Sequence, residues 1–294
     1  MKRGISGADR AFYILVDSFL FLAVLLTLYP FLYTLSMSLS SVDAVNRNAV
    51  WLFPVEPTLE GYRIVLSNRM LFVSFGNSLY YTVAGTLLNL AATCLAAYPL
   101  SRRQFVLRKP LNFFLAFTMY FSGGLIPTYF LLTSMGFYNS RWVMILPCLL
   151  STYNVMVLRS AFSEISSELI ESAQIDGAND WIILFKLAIP LVKPTLAVLA
   201  LYYAVGHWND FFTAMIYLGK TELQPLQLLL RRVLLEASNE MLSSNMDVRT
   251  LNLAATTIQV RYVTIVVATL PILLVYPFLQ KYFVKGIMVG AVKG

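Results

Sequence analysis

Three observations predict an all-α integral membrane protein: six apolar runs long enough to cross a bilayer, a scarcity of charge, and a one-sided distribution of Lys and Arg. Of the 294 residues, 58% are hydrophobic and 13% charged, and the mean hydropathy is +0.69. A soluble domain carries about 25% charged residues, so this chain has too little charge to coat a globule of its size. The composition excludes a soluble enzyme, a disordered chain and a secreted disulfide scaffold. A spanning helix needs about 20 mostly apolar residues. Residues 12–35, 72–100, 111–133, 142–162, 195–218 and 262–283 each supply such a run. Helices are the expected form because lipid does not tolerate irregular exposed backbone. The alternating strands of about 10 residues that mark a membrane barrel are absent.

The first run follows Lys2, Arg3 and Arg10 and is not closed by a small-residue cleavage site, so it reads as a retained span. The loop 101–110 packs Arg102, Arg103, Arg108 and Lys109, and the tail carries Lys281, Lys285 and Lys293. With the N-terminal basic residues, Lys186 and Lys193, they fall on one side of a six-span chain. Dense basic loops stay inside, which places both termini in the cytoplasm. On the other side, loop 41–71 contains Pro54, Pro57 and Gly61 and reads as partly turn-like. In the outer loop 219–258, Pro225 opens a short helix through Leu226, Leu228, Leu229, Leu230, Val233 and Leu234, expected to lie on the outer protein surface.

The net charge is +7. In a membrane chain such an excess marks loops facing the anionic headgroups of the bilayer, and no nucleic-acid partner is expected. Cys94 and Cys148 lie in apolar runs and read as small buried residues, with neither a disulfide nor a metal site. Ser122-Gly123-Gly124 with Pro127 marks an interruption in the third span. No internal repeat divides the chain, so a single transmembrane domain over 1–294 is expected.

The most informative segment is the cytoplasmic loop 163–194. Glu168 to Ile175 reads as a short helix, ended by Asp176-Gly177 because glycine tolerates the positive φ that follows a helix C-terminus. Asn179 suits the cap of a second helix, Asp180 its first turn, and Pro190 its stop. A helix–glycine–helix hairpin on the cytoplasmic face is not a catalytic device. It is a shaped knob suited to a partner's cleft.

These residues resemble a family. Glu171-Ser172-Ala173, then three residues to Gly177, then nine to Leu187-Ala188-Ile189-Pro190, are similar to the EAA loop of permease subunits of ABC importers. Ser172 stands where that family has alanine, and Leu187 and Ile189 stand for its isoleucine and leucine. Asp176-Gly177-Ala178, Ser122-Gly-Gly-Leu-Ile-Pro-Thr-Tyr129, Gly206-His-Trp-Asn-Asp-Phe-Phe212, Gln224-Pro-Leu-Gln-Leu-Leu-Leu-Arg-Arg232 and the glycines of the tail 286–294 resemble the LplC-like branch. That branch takes complex sugars and includes the smaller permease of alginate importers.

The resemblance implies the type I ABC-importer permease fold in a bacterial cytoplasmic membrane. It implies a second homologous permease to complete the path, two ATPase subunits, and an extracytoplasmic sugar-binding protein. The chain itself would be no enzyme and hold no cofactor, ATP and magnesium being bound by the partner ATPase. Glu168, Glu171, Ser172, Ala173, Asp176, Gly177 and Ala178 would form the ATPase-coupling loop, with the tail 290–294 also reaching that interface. The cargo would be an oligosaccharide or polysaccharide. An acidic, uronate-containing cargo is motivated further by Arg231, Arg232, Arg249 and Arg261 on the outer side.

Polar groups inside spans are costly and mark function or helix packing. His207 and Asp210 lie three apart in the fifth run and are expected to share a helix face. One reading makes them a packed polar pair. The other makes Tyr203, His207, Trp208, Asn209 and Asp210 candidate substrate-path residues, since sugars are held by hydrogen bonds and aromatic faces. An alternative function, a self-sufficient proton-coupled transporter, would use His207 and Asp210 as its relay. Against it stand the absence of inverted repeats and the unexplained cytoplasmic hairpin. With one His and no clustered acids, no enzymatic site or metal centre is expected.

Overall fold

The computed structural model describes residues 7–242, 258–271, 273 and 274, and every regular element among them is helical. In chain order these are α1 (Gly7–Leu39), α2 (Val42–Asn46), α3 (Glu60–Ser67), α4 (Arg69–Ser101), α5 (Arg108–Tyr120), α6 (Leu125–Ser134), α7 (Thr152–Ser163), α8 (Ser167–Ile175), α9 (Asp180–Ile182), α10 (Ile189–Leu191), α11 (Lys193–Asn209), α12 (Phe212–Tyr217) and α13 (Leu226–Leu242). A last described helix, α14, covers Ile258–Pro271. The described residues of Met1–Arg69 and Leu230–Pro271 form one compact unit, and those of Met70–Leu229 belong to a second.

In the first unit α1 is apolar and exposed over most of its length, as a lipid-facing helix must be. Its end is different. Ser36 donates to the Leu52 carbonyl at 2.7 Å, Ser40 accepts from the Val55 N–H at 3.1 Å, and Ser41 caps α2 by accepting from the Ala44 N–H at 3.1 Å. The loop expected to be turn-like is thus tied down by serines around a core of Met37, Ala44, Val45 and Val50. Ser41 also donates to Glu56 at 2.6 Å, and Arg47 reaches the same carboxylate at 3.1 Å. The Ser41 bond first, then the Arg47 charge, hold the Glu56 carboxyl below its usual range. Gly61 lets α3 approach α14, because a Cβ there would lie 3.0 Å from Val263. Beside it Gln259 donates to the Ser40 carbonyl at 2.6 Å.

The expectation that the fourth and fifth runs are continuous spans needs correction. By length and hydropathy, two described helices can each cross a bilayer alone, Arg10–Leu39 and Arg69–Ser101. The third run is two helices, α5 and α6, bent by 115°. The bend falls at the predicted interruption, where Gly124 takes φ +81°. In the fourth run only α7 is an α-helix. Residues 141–144 form a single 3₁₀ turn and 145–151 are irregular. Pro147 explains the break, since it lacks an N–H and its ring would clash with the preceding turn of a helix. Ser151 restarts the helix by accepting from the Asn154 N–H at 3.4 Å. The fifth run breaks at Asp210, whose carboxylate leaves α11 to accept from the Thr213 N–H at 3.0 Å at the start of α12. The sixth begins at Ile258, and most of its predicted second half lies outside the described residues.

The long helix α4 supplies the polar groups that the irregular segments lack. Asn77 donates to the Glu222 and Gln224 carbonyls at 2.7 and 3.2 Å, while its Oδ1 accepts from Arg141 at 3.3 Å. Tyr81 donates to the Leu223 carbonyl at 2.8 Å, and Ser78 accepts from the Leu226 N–H at 2.8 Å. Together they clamp the turn before α13 onto α4, over a core containing Tyr81, Val143, Met144, Tyr217 and Leu228. Leu226 and Leu228 are buried, so this helix begins inside the protein and not on its outer surface. Asn77→Ala removes a buried amide that bonds the Glu222 and Gln224 carbonyls and Arg141, which should lower stability by about 1–3 kcal/mol. Chemical unfolding of the detergent-solubilised chain measures this, and an unchanged midpoint would contradict the clamp.

Candidate coupling loop and substrate path

The candidate coupling loop is built as its sequence predicts, with one difference. α8 ends in a Schellman motif: the Ala178 N–H bonds the Ala173 carbonyl at 2.9 Å and the Gly177 N–H bonds the Gln174 carbonyl at 3.0 Å. Gly177 takes φ +84°, the left-handed region that favours glycine. Ala173 and Ala178, the pair that closes such a motif, both pack on the core. Asn179 accepts from the Ile182 N–H at 2.9 Å and so caps α9. The difference concerns Pro190, which does not stop the second helix. It lies inside α10, directly after a π-helical stretch at Ile183–Ala188. Widening the preceding turn accommodates a residue with no N–H and a bulky ring.

Two faces of the loop differ in character. Inward, Ile170, Ile183, Leu184 and Ala188 are buried with Ala97 and Tyr98 of α4, Val155, Leu158 and Phe162 of α7, and Leu199 of α11. Outward, Glu168, Glu171, Ser172, Asp176 and Gly177 are exposed. The exposed face also carries large apolar groups: Ile175 is 86% exposed, and Trp181 (62%) stacks on Phe185 with ring centroids 6.1 Å apart. Apolar side chains fixed on a rigid turn, with acids around them, form a surface suited to a partner. A cavity of about 1090 Å³ beside α8 adds charge of both signs, Arg102, Arg103 and Arg108 facing Glu164, Glu171 and Asp180. Arg102 lies over the Tyr98 ring, 4.4 Å from its centroid. The tail 290–294 lies outside the described residues.

The candidate path residues separate. His207 does not pair with Asp210; α11 ends between their side chains, and the two bond different partners. His207 Nε2 lies 2.7 Å from Asn89 Oδ1, whereas Asp210 accepts from the Thr213 N–H at the start of α12. Tyr203 is buried, its hydroxyl 2.7 Å from Thr93 Oγ1. Trp208 is buried against Phe75, ring centroids 6.0 Å apart, and its Nε1 has no hydrogen-bond partner. Asn209 is exposed and donates to the Val205 carbonyl at 3.0 Å. Cys94 is buried as expected, while Cys148 is exposed. Among the described residues no group of His, Cys, Asp and Glu is placed to hold a metal ion.

Sequence reasoning missed Gly85, Asn89 and Thr93. Their signal was present, since a spacing of four puts all three on one stripe of α4. It is the stripe that meets Tyr203 and His207.

Comparison with known proteins gives a consistent family. The model of the family described as binding-protein-dependent transport system inner membrane component matches residues 11–289. The polygalacturonan/rhamnogalacturonan transport system permease protein YtcP of Bacillus subtilis (strain 168) is 38% identical over 286 residues, covering 97% of this chain and 99% of its own length. Protein LplC of the same organism is 40% identical over 270 residues, covering 92% and 90%. A chain in the crystal structure of a bacterial ABC transporter involved in the import of the acidic polysaccharide alginate superposes with a TM-score of 0.87 at 34% identity. The superposition covers 96% of this chain and all of that one.

The local architecture of the loop makes one prediction. Asn179→Ala removes the cap of α9, worth about 1 kcal/mol, so amide exchange at Ile182 should rise roughly fivefold. Unchanged protection by hydrogen-exchange mass spectrometry would contradict the capping role.

Proposed function

The chain belongs to the family of binding-protein-dependent transport system inner membrane components, as a permease subunit of a carbohydrate ABC importer, and from that premise we propose that it imports uronate-containing oligosaccharides or polysaccharides, coupled to ATP hydrolysis through the loop 163–194. The observation that carries the cargo class is its similarity, over nearly the full length, to proteins named for polygalacturonan and for alginate. Both are acidic polymers. Arg231 and Arg232 on α13 and Arg261 on α14 are consistent with an anionic cargo, whereas Arg249 lies outside the described residues.

In this reading the chain is a single permease domain over 1–294 with six crossings and both termini cytoplasmic. It forms the path with a second, homologous permease. Two ATPase subunits bind ATP and magnesium, and an extracytoplasmic sugar-binding protein delivers cargo. Closure of the ATPases pulls on α8, and the permeases tilt between inward-open and outward-open states. The support for the coupling assignment is α8 itself, a short helix locked at Gly177, fused to the core on one face and exposing Ile175, Glu168, Glu171 and Asp176 on the other. A self-sufficient proton transporter would need a relay, and His207 and Asp210 do not form one.

Purification in mild detergent should recover the chain with an ATPase and a second permease, and uptake by the native membranes should be ATP-dependent. Oligogalacturonates should inhibit that uptake more strongly than neutral oligosaccharides of equal length. Equal inhibition would remove the acidic cargo, and recovery of the chain alone from uptake-competent membranes would remove the importer assembly. Gly177→Asp forces a side chain into a left-handed turn that costs about 1–2 kcal/mol. It should leave abundance near normal while sharply reducing uptake. Normal uptake at normal abundance would contradict the coupling role.

A further inference from the structure

The break in the fourth run leaves backbone groups that no helix satisfies. Three of these groups find side chains on α4 and α11. Asn89 Nδ2 donates to the carbonyls of Cys148 and Leu149 at 2.6 and 2.8 Å. The Ser151 N–H donates to the Tyr203 hydroxyl at 3.3 Å, and that hydroxyl lies 2.7 Å from Thr93 Oγ1. The proton positions then follow. Both amide protons of Asn89 are engaged by carbonyls, so its Oδ1 can only accept, and His207 Nε2 at 2.7 Å must be the donor. Tyr203 accepts from the Ser151 N–H, and its hydroxyl shares a second hydrogen bond with the Thr93 hydroxyl.

The ring of His207 has been given room for this. A Cβ at position 85 would lie 2.4 Å from Nε2 and 2.6 Å from Cε1, so the imidazole rests on bare helix backbone at Gly85. Asn89 and Thr93 are fully buried, and His207 and Tyr203 are 6% and 7% exposed. The segment held in this way runs straight into α7, whose Val155, Leu158 and Phe162 share one core with Ile170 of the coupling helix, Ala97 of α4 and Leu199 of α11.

We propose that His207 is a positioning residue of the transport cycle. It fixes the Asn89 amide in the orientation that satisfies the broken backbone. With Tyr203 and Thr93 it clamps the start of α7 to α4 and α11, so the coupling helix moves with these three helices as one body. His207 transfers no proton and touches no cargo. The clamp rests on geometry alone; its consequence for transport rests on the importer reading above.

The test uses the whole complex of both permeases, ATPases and binding protein, with oligogalacturonate as the probe cargo. Two quantities are read: amide exchange across 148–153, and the stimulation of ATP hydrolysis by the loaded binding protein. His207→Leu and Asn89→Leu should each raise exchange at Ser151 at least tenfold and abolish the stimulation. His207→Gln, which keeps a donor near the Nε2 position, should preserve both. Tyr203→Phe removes a single oxygen and should raise Ser151 exchange even if the leucine variants fail to assemble. Unchanged exchange in Tyr203→Phe, or in a folded His207→Leu, overturns the clamp. Loss of stimulation in His207→Gln with Ser151 still protected also overturns it, because the ring would then have work other than positioning. If the unmodified complex shows no stimulation, the importer reading fails while the exchange data still decide the clamp.

Discussion

Lipid offers no hydrogen bonds to stray backbone groups, so an irregular segment at membrane depth must find its partners in protein or line a water-filled cavity. In the unit formed by Met70–Leu229 the helix α4 supplies several of these partners to irregular segments. α4 carries Asn77, Ser78 and Tyr81 to the turn at Glu222–Leu226 and Asn89 to the break after Pro147, while its Thr93 meets the Tyr203 hydroxyl of α11 that takes the Ser151 N–H. The two asparagines repeat one device. Each amide nitrogen spans two carbonyls, and each amide oxygen takes a donor from a third segment, Arg141 in one case and His207 in the other. Removing either amide would strand several groups at once, which makes these positions far more sensitive than their single residues suggest.

The same helix closes the core beneath the coupling loop, so the parts of this unit are mechanically continuous. Cys94, Ala97, Tyr98 and Leu100 of α4 pack with α7, α8, the π-helical stretch and α11. In lipid, helices gain little from burial as such and depend on close packing and interhelical hydrogen bonds. Gly85 against His207 shows that economy directly, since an alanine methyl there would overlap the ring. Under the proposed coupling, an exposed, apolar-tipped turn packed on this core would be the part that meets the ATPase.

Much of this was legible in the sequence. The hydropathy runs located α1 and α4, Gly177 located the turn of the coupling loop, Asn179 its second cap, and the Ser-Gly-Gly run the bend between α5 and α6. What escaped had a common cause. A hydropathy window averages over Pro147 and Asp210, so the fourth and fifth runs read as continuous helices although one residue lacks an N–H and the other accepts from the Thr213 N–H at the start of a new helix. Pro190 misled in the opposite sense, because a widened turn allowed the helix to pass through it. The pairing of His207 with Asp210 assumed an unbroken helix. Asn77 and Asn89 stand plainly in the second run, yet their meaning depends on segments 59 to 147 residues away, which local pattern does not reach.

The central claim, that the exposed tip of α8 is the contact through which an ATPase drives this permease, is tested most directly by a photoreactive side chain at Ile175 in the assembled complex, with a second at the exposed Val83 of α4 as reference. The account predicts adducts from position 175 to an ATPase subunit and none to it from position 83. Adducts from position 175 only to lipid, or to no protein at all, in membranes that still take up sugar would contradict it.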